Sequence, residues 1–311
     1  MITIMDHENF PMKRFNWAEM QEYWRLHSHQ WSAIDFEQDP DGLANVVMPG
    51  APLWLNRHFD RLHKLVYEKL FSEVPAPRPG ARALDLGCGA GRWSRFLSEH
   101  GYRTTGIDLQ PDLIEMNRKR FPGIEFHQVA IQDFSAPEPF DLISTVTVIQ
   151  HVPFEEHDRI IAKISALLRP GGYALVLENI LDQFPNVFSH RLAEWQAKFE
   201  QAGLRCLRTS RFNYDLFIRL HRWMAGKTVS ALRPGRDASE QAREAELTPE
   251  KFVNLSVPAE AQSGKKSALH TLNHGAQRLA VLLDALVEPV LIRLNPGLTA
   301  AHCGFLFRRE K

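Results

Sequence analysis

The chain has 311 residues, with 37 basic and 37 acidic side chains and 44% hydrophobic residues. A chain of this length can bury one large core with a smaller appended one, and its balanced charge gives no whole-protein field for attracting nucleic acid or an anionic membrane. The three cysteines, which are too few and too widely spaced for a disulfide framework or a zinc cluster, are Cys88, Cys206 and Cys303.

The opening residues and the most apolar segment both favour a soluble protein. The opening "MITIMDHENF" lacks the basic and apolar regions of a secretory signal. The segment Leu279–Leu294 is interrupted by Asp284, Glu288 and Pro289, and it is too short to cross a bilayer. We therefore expect a cytoplasmic protein with no membrane span.

The first zone, residues 1–76, is predicted to form a helical cap or lid. Aromatic and charged residues recur here at helical spacing, and the segment "NRHFDRLHKLVYEKLF" places an apolar stripe along one face of a helix. The sequence "PAPRPG", Pro75–Gly80, then interrupts the pattern, which is typical of a boundary between domains.

Residues 77–213 alternate between short apolar strands and helices. The strands predicted in this zone are ARALDL, YRTTGID, GIEFHQVA, FDLISTVTV, YALVLENI and LRCLRTSRFNY. Strands that alternate with helices indicate a parallel sheet covered on both faces. The predicted fold class is therefore α/β, with a doubly wound, Rossmann-like, mostly parallel sheet.

Residues 214–298 break this alternation, and residues 299–311 return to the pattern of a strand. The first of these zones is predicted to be a largely helical insertion, which would act as a substrate lid or as an oligomer contact in a homodimer. The second is predicted to be the last core strand, paired antiparallel with the sixth.

The first predicted strand ends in a glycine-rich turn. In a doubly wound sheet, ligands bind outside the carboxyl ends of the strands, at turns of this kind. The turn reads "LDLGCGAG", and a dinucleotide fingerprint would need a further glycine where Arg92 or Ser94 stands. No G-K-[ST] of a phosphate-binding loop follows this turn either. A turn that serves only tight strand–helix packing is the structural alternative.

The stretch "LDLGCGAG" resembles the first motif of the class I S-adenosylmethionine-dependent methyltransferases of the small-molecule type. The resemblance extends from about residue 83 to residue 212 and over the last dozen residues. It implies a Rossmann-like fold and S-adenosyl-L-methionine as the cofactor. The residues that it places around the methionine part of this cofactor are Asp85, Gly87, Cys88, Gly89 and Gly91.

The same resemblance implies contacts for the ribose and the adenine. Asp108 ends the second strand where the family has an acidic residue for the ribose hydroxyls, and Leu109 follows it. An aspartate just before a helix could instead cap that helix. The third strand lacks the aspartate that many family members show, so we expect the backbone of Ile131 and the side chain of Gln132 to hold the adenine.

The segment after the fourth strand, "STVTVIQHVPFEEH", is expected to face the reacting methyl group. His151 is the candidate general base, because imidazole accepts a proton near neutral pH, and Gln150 stands beside it. A histidine that packs or caps the next helix is the structural alternative. Thr147, grouped with the cofactor residues, and Gln150 occupy positions where metal-dependent family members have carboxylates, so no metal is expected.

Two groups of residues are candidate contacts for the acceptor. Trp17, Tyr23 and Trp24 belong to an aromatic N-terminal zone that could enclose the sulfonium or simply pack on the sheet. Glu178 and Asn179 end the fifth strand, where they could orient a hydroxylated acceptor or cap a loop.

By analogy with the family, the predicted activity is metal-independent transfer of a methyl group to a small hydroxylated acceptor, a sugar or a secondary metabolite. No nucleic-acid partner is expected, because the (N/D)-P-P-(Y/F) motif of nucleic-acid amino-methyltransferases is missing after the fourth strand. The alternatives are an RNA or protein methyltransferase that docks through the insertion, and a non-catalytic S-adenosylmethionine-binding protein.

Overall fold

The computed structural model describes residues 14–31, 35–43, 51–181, 186–221 and 268–310. The polar central part of the predicted insertion, and its basic segment beyond residue 221, lie outside these residues.

Seven strands form one sheet. Their bounds are β1 Arg82–Leu86, β2 Arg103–Asp108, β3 Glu125–Gln128, β4 Phe140–Val146, β5 Leu168–Asn179, β6 Leu204–Phe212 and β7 His302–Arg309. The strand order is β3-β2-β1-β4-β5-β7-β6. β1 to β5 pair in parallel, whereas β7 lies between β5 and β6 and pairs antiparallel with both. The predicted α/β fold, with a mostly parallel sheet and an antiparallel last strand, is confirmed.

Helices flank the sheet and join its strands. Their bounds are α1 Trp17–Trp31, α2 Leu53–Phe71, α3 Arg92–Glu99, α4 Pro111–Arg120, α5 Phe154–Leu167, α6 Leu192–Gln201 and α7 Ala268–Leu294, with a 3-10 turn at Ile149–His151. α4 shows why the sequence forms a helix there. Pro111 stands in its first turn, where the fixed φ of proline suits a helix, and three basic residues in its last turn complement the helix dipole.

The central strands are apolar because both faces of the sheet are covered. β4 is buried at every residue. On one face, Leu142 and Leu175 pack with Leu62 and Val66 of α2. On the other face, the side chains of α5 and α6 pack against β1, β4, β5 and β7. The carboxyl ends of the parallel strands are therefore held by helices on both sides.

Helix α2, which the sequence places in the N-terminal cap, packs directly on the sheet. The Tyr67 hydroxyl donates a hydrogen bond of 3.0 Å to the hydroxyl of Ser144 on β4. A Cβ on Gly304 of β7 would lie 2.6 Å from a methyl group of Val66, so only glycine permits this approach. The division of the chain at residue 76 stays a prediction.

Helix α7 is bound to the chain after β6 through two buried carboxylates. Asp284 accepts the backbone N–H groups of Phe217 and Ile218 at 3.0 and 2.9 Å. Glu288 accepts the backbone N–H of Asp215 at 2.8 Å. These two acids interrupt the apolar segment in the sequence. In the structure they face inward and accept the backbone N–H groups of residues 215, 217 and 218.

The opposite face of α7 is apolar and exposed. Its exposed apolar side chains are Leu279, Leu282, Leu286, Val290 and Leu294. Among the described residues, no helix is long and apolar enough to cross a membrane.

The buried histidine of α5 supplies a test of the packing between α5 and α6. His157 is fully buried, donates from Nε2 to the carbonyl of Val152 at 2.7 Å, and stacks on Trp195. Its Nδ1 faces Nε2 of His190 at 3.0 Å. Burial lowers the pKa of His157 to about 4, so the folded state keeps this ring neutral where the unfolded chain protonates it.

Replacing His157 with glutamine should reduce the sensitivity of the fold to acid. Because the folded pKa lies below the unfolded value, this histidine's stabilising contribution is present above pH 6.5 and is lost as the pH falls toward 4. Between pH 7.5 and 5, the wild type should lose on the order of 2 kcal/mol through this group. Urea unfolding at both pH values measures the loss, and H127Q on exposed β3 is the control. Equal losses in H157Q and wild type would contradict the expectation.

Candidate functional site

The candidate site lies at the carboxyl ends of β1, β2 and β4. The glycine-rich turn after β1 has positive φ at Gly87 (65°) and Gly91 (79°), a backbone region that favours glycine. A Cβ at Gly87 would lie 2.5 and 2.6 Å from the two methyl carbons of Val148, which follows β4. The absence of a side chain at Gly87 thus lets the two strand ends meet.

Asp85 faces inward, beneath the turn. It is buried, and the hydroxyl of Ser94 on α3 donates a hydrogen bond of 2.6 Å to it. Burial raises the pKa of Asp85 to about 7, against the opposite effects of Ser94 and Arg92. The carboxyl group therefore joins the end of β1 to the first turn of α3.

Asp108 connects the end of β2 to the same turn. Its carboxylate accepts the backbone N–H of Gly89 at 2.9 Å and that of Gln110 at 3.0 Å. The residue is only partly buried, and each carboxylate oxygen can accept a further hydrogen bond. Leu109, which is 41% exposed, presents an apolar surface beside it. This arrangement agrees with a carboxylate that faces a ligand.

Cys88 contributes its backbone to the turn, while its side chain points away. The thiol is buried with Ile114 and Phe126, on the side of α4 and β3. Asn117 of α4, which the sequence reasoning missed, donates from Nδ2 to the carbonyl of Gly89 at 2.7 Å. Asn117 lies on the buried face of α4, one turn after Leu113 and Ile114, and this spacing was the available signal.

The segment after β3 holds the two residues expected near the adenine. Ile131 is buried in the core that α5 and α6 cover, so only its backbone remains available to a ligand. Gln132 is partly buried, and its amide donates to Glu156 at 3.1 Å. Their roles stay predictions.

Thr147 follows β4 in a strained conformation. Its φ is 57°, a value that a β-branched residue rarely adopts and that costs on the order of 1–3 kcal/mol. Its backbone N–H donates to the carbonyl of Leu177 at 2.7 Å, and its hydroxyl donates to the carbonyl of Val146 at 2.7 Å. With Thr147 in this conformation, the chain bends across the end of β4 toward the glycine turn.

Glu178 and Asn179, which the sequence offered as acceptor contacts or as loop-capping residues, bond to backbone groups of neighbouring loops. Glu178 is fully buried and accepts the backbone N–H groups of Val148, Ile149 and Gln150 at 3.3, 3.0 and 3.1 Å. Burial raises its pKa to about 8, against these three donors. Asn179 is also buried, and its carboxamide oxygen accepts the N–H of Leu181. Burial and these bonds give both side chains a role in holding loops.

Hydrogen bonds to backbone groups determine the tautomer of His151. The backbone N–H of Asn179 donates to Oε1 of Gln150 at 2.7 Å, so the Gln150 nitrogen faces Nε2 of His151, at 3.2 Å. On the other side, Nδ1 of His151 lies 2.9 Å from the carbonyl oxygen of Asn186, which can only accept. The proton therefore resides on Nδ1, and Nε2 is the basic atom.

Helix α1 covers His151. The ring of Trp24 meets the imidazole edge-on at 5.1 Å, and Tyr23 is hydrogen-bonded to the side chain of Asn186. Trp17 is partly buried at the border between α1 and the sheet core. The structure thus brings the aromatic N-terminal residues and His151 together. Among the described residues, no three His, Cys, Asp or Glu side chains group as metal ligands.

Comparison with known protein families agrees with this geometry. Residues 83–172 match the family model described as "Methyltransferase domain". Residues 83–172 therefore form a methyltransferase domain, and the sheet around them has the Rossmann-like fold of the class I methyltransferases. The matched residues include the glycine turn, Asp108 and His151. The cofactor of this family is S-adenosylmethionine.

Two curated relatives of the methyltransferase domain share the same name. The "Ubiquinone biosynthesis O-methyltransferase" of Xylella fastidiosa is 39% identical over 108 residues, which cover 32% of this chain and 42% of the relative. The protein of that name from Xanthomonas campestris is 32% identical over 117 residues, which cover 36% of this chain and 47% of the relative. The chain thus spans about half the length of the curated relatives it matches.

The fold extends beyond the region matched by these relatives. The solved structure of the cyclase SpnF is 17% identical, with a TM-score of 0.52, and the superposition covers 96% of this chain and 98% of that one. This similarity concerns the fold of the methyltransferase domain and its additions alone.

Replacing Gly87 with alanine should damage both the fold and cofactor binding. The new methyl group would overlap Val148, and alanine would have to adopt the positive φ of this position. We therefore expect a loss of at least about 2 kcal/mol in the free energy of unfolding. The affinity for S-adenosylhomocysteine, measured by calorimetry, should fall about tenfold or more.

Gly203 offers a matched control, since its φ is also positive but an added Cβ would meet no atom within 4 Å among the described residues. G203A should lose only about 1 kcal/mol and keep its affinity. If the two variants behave alike, the contact with Val148 is unimportant.

Proposed function

We propose that this chain transfers a methyl group from S-adenosylmethionine to a hydroxyl group of a small acceptor, without a metal ion, and that His151 is the general base. The observation that carries the proposal is the tautomer of His151, whose basic Nε2 lies at the end of β4 beside the strained Thr147. The name of these two curated relatives, an O-methyltransferase, supports an oxygen acceptor.

The residues of the turn fit the cofactor. The backbone of the turn, which has positive φ at Gly87 and Gly91, would lie along the amino-acid part, and the partly buried Asp108 would accept hydrogen bonds from the ribose. Leu109, exposed beside Asp108, offers an apolar surface for the adenine, and Ile131 and Gln132 would hold it from the segment after β3. When bound, the cofactor supplies a methyl group on sulfur that is already activated for displacement.

His151 would move one proton. Its Nε2 accepts the proton that the acceptor hydroxyl loses while the oxygen forms its new bond to carbon. The charge that develops on the ring is stabilised by the hydrogen bond from Nδ1 to the carbonyl of Asn186. Gln150 keeps the ring in the productive orientation until the acceptor arrives.

The walls around His151 favour a small molecule. Trp24 lies against the imidazole, and Tyr23 is buried beside it, so the approach to the base is narrowed by aromatic side chains. We propose a hydroxylated metabolite or sugar as the acceptor, no nucleic-acid substrate, and a homodimer as the candidate assembly.

Cofactor binding is the first test of this function. Calorimetry with S-adenosylhomocysteine should give saturable binding by the wild type, and D108A should weaken it about tenfold because a charged acceptor of hydrogen bonds is lost. E115A on the exposed face of α4 is the control. A wild type that binds neither this product nor S-adenosylmethionine would refute the proposed function.

Proton transfer is the second test. In H151N, the asparagine nitrogen can replace Nδ1 as a donor to Asn186, but the basic Nε2 is removed. The affinity for S-adenosylhomocysteine should stay unchanged, and the rate of its formation with a panel of small hydroxylated compounds should fall on the order of 100-fold. An undiminished rate would remove His151 from the mechanism.

A further inference from the structure

Three aromatic rings meet at the start of β7, on the face of the sheet that α2 covers. The ring of His302 stacks on Phe212 at 5.3 Å, and His63 of α2 approaches both rings, at 5.8 Å from His302 and 5.2 Å from Phe212. None of these three side chains takes part in the proposed cofactor contacts.

His63 presents a buried acceptor. Its Nδ1 donates to the carbonyl of Phe59 at 2.8 Å, which leaves the lone pair of Nε2 as an acceptor. This Nε2 is buried and has no hydrogen-bond partner within the residues that the structure describes. An unsatisfied buried acceptor costs on the order of 1–3 kcal/mol, so a protein that keeps one at a ligand site has a use for it.

His302 presents a second polar group at the same place. Its Nδ1 lies 3.1 Å from the amide nitrogen of Asn213, so Nδ1 accepts and Nε2 carries the proton. His302 is only partly buried, unlike His63. The carboxamide oxygen of Asn213 is buried and, over the described ranges, has no partner.

This cluster lies at the same sheet edge as the candidate base. His302 pairs with Asn179 in the register of β5 and β7, and the backbone N–H of Asn179 is bonded to Gln150, the neighbour of His151. The strand register therefore places His302 at the same end of the sheet as the segment that carries His151.

The cluster is uncharged. Burial lowers the pKa of His63 and of His302 to about 3, so both rings are neutral near pH 7. Arg92, the cation that acts on His63, is ion-paired with Asp60. Neutral donors and acceptors suit a hydroxyl group, whereas a carboxylate would meet no compensating charge.

We propose that His302, supported by Asn213 and His63, binds a second, uncharged hydroxyl group of the acceptor while His151 faces the hydroxyl that is methylated. The inference rests on the proposed function and specifies its substrate class: a neutral molecule with at least two hydroxyl groups. His302 is then a residue that determines specificity.

Catechol and salicylate test this assignment, because catechol has a second hydroxyl group at the position where salicylate has a carboxylate. With saturating S-adenosylhomocysteine, calorimetry should show that the wild type binds catechol at least tenfold more tightly than salicylate. H302L should weaken catechol binding about tenfold and abolish most of this preference, whereas H302Q, which keeps a donor near the place of Nε2, should stay within about threefold of wild type.

Two further variants test the support of His302 by Asn213 and control for the loss of a histidine elsewhere. N213G keeps a residue that tolerates positive φ and removes the amide behind His302, so catechol binding should weaken severalfold in a folded protein. H127L, on exposed β3, should match the wild type. Equal catechol affinity in H302L and wild type would overturn the proposal, as would a wild type that prefers salicylate or binds neither compound. Loss of S-adenosylhomocysteine binding by the wild type would instead refute the proposed function itself.

Discussion

Three backbone N–H groups converge on one buried carboxyl group, and the candidate site depends on this interaction. Glu178, near the end of β5, accepts the N–H groups of residues 148, 149 and 150. These bonds offset the cost of burying the acid and hold the chain after β4 in a tight turn. Val148 is thereby pressed against Gly87, and Gln150 is placed beside His151.

The same interaction connects elements that are far apart in the sequence. The carbonyl of Gln150 accepts the N–H of Phe188 at 2.6 Å, and Asn186 binds both His151 and Tyr23 of α1. A single turn therefore organises the strand ends, the candidate base and the N-terminal helix. The network thus connects the turn after β4 to β5, to residues 186–188 and to α1.

The sheet and the cofactor turn could be predicted because they rest on local patterns. Apolar strands alternating with amphipathic helices leave few alternatives to a parallel sheet, and Gly87, Gly91 and Asp108 occur at spacings that the turn requires. The antiparallel pairing of the last strand followed from its position in the chain.

The sequence could not decide between the two alternatives for Glu178 and Asn179, acceptor contact and loop capping, for a physical reason. β5 is covered on both faces, so the alternation that reveals an inward side chain in a half-exposed strand is missing. The buried histidines were equally hidden. The contacts of His63 and His302 join residues 239 positions apart, and no local pattern reports on such a pair.

The hydrogen bond between Gln150 and His151 has a consequence for reactions with water. It occupies the basic lone pair of Nε2, so a molecule that approaches the base must replace an existing bond. A water molecule that replaces Gln150 exchanges one hydrogen bond for another, whereas an acceptor that is also held at a second point would lose less entropy on meeting Nε2. In the proposed function, this bond would therefore limit the reaction of the base with water while the acceptor is absent.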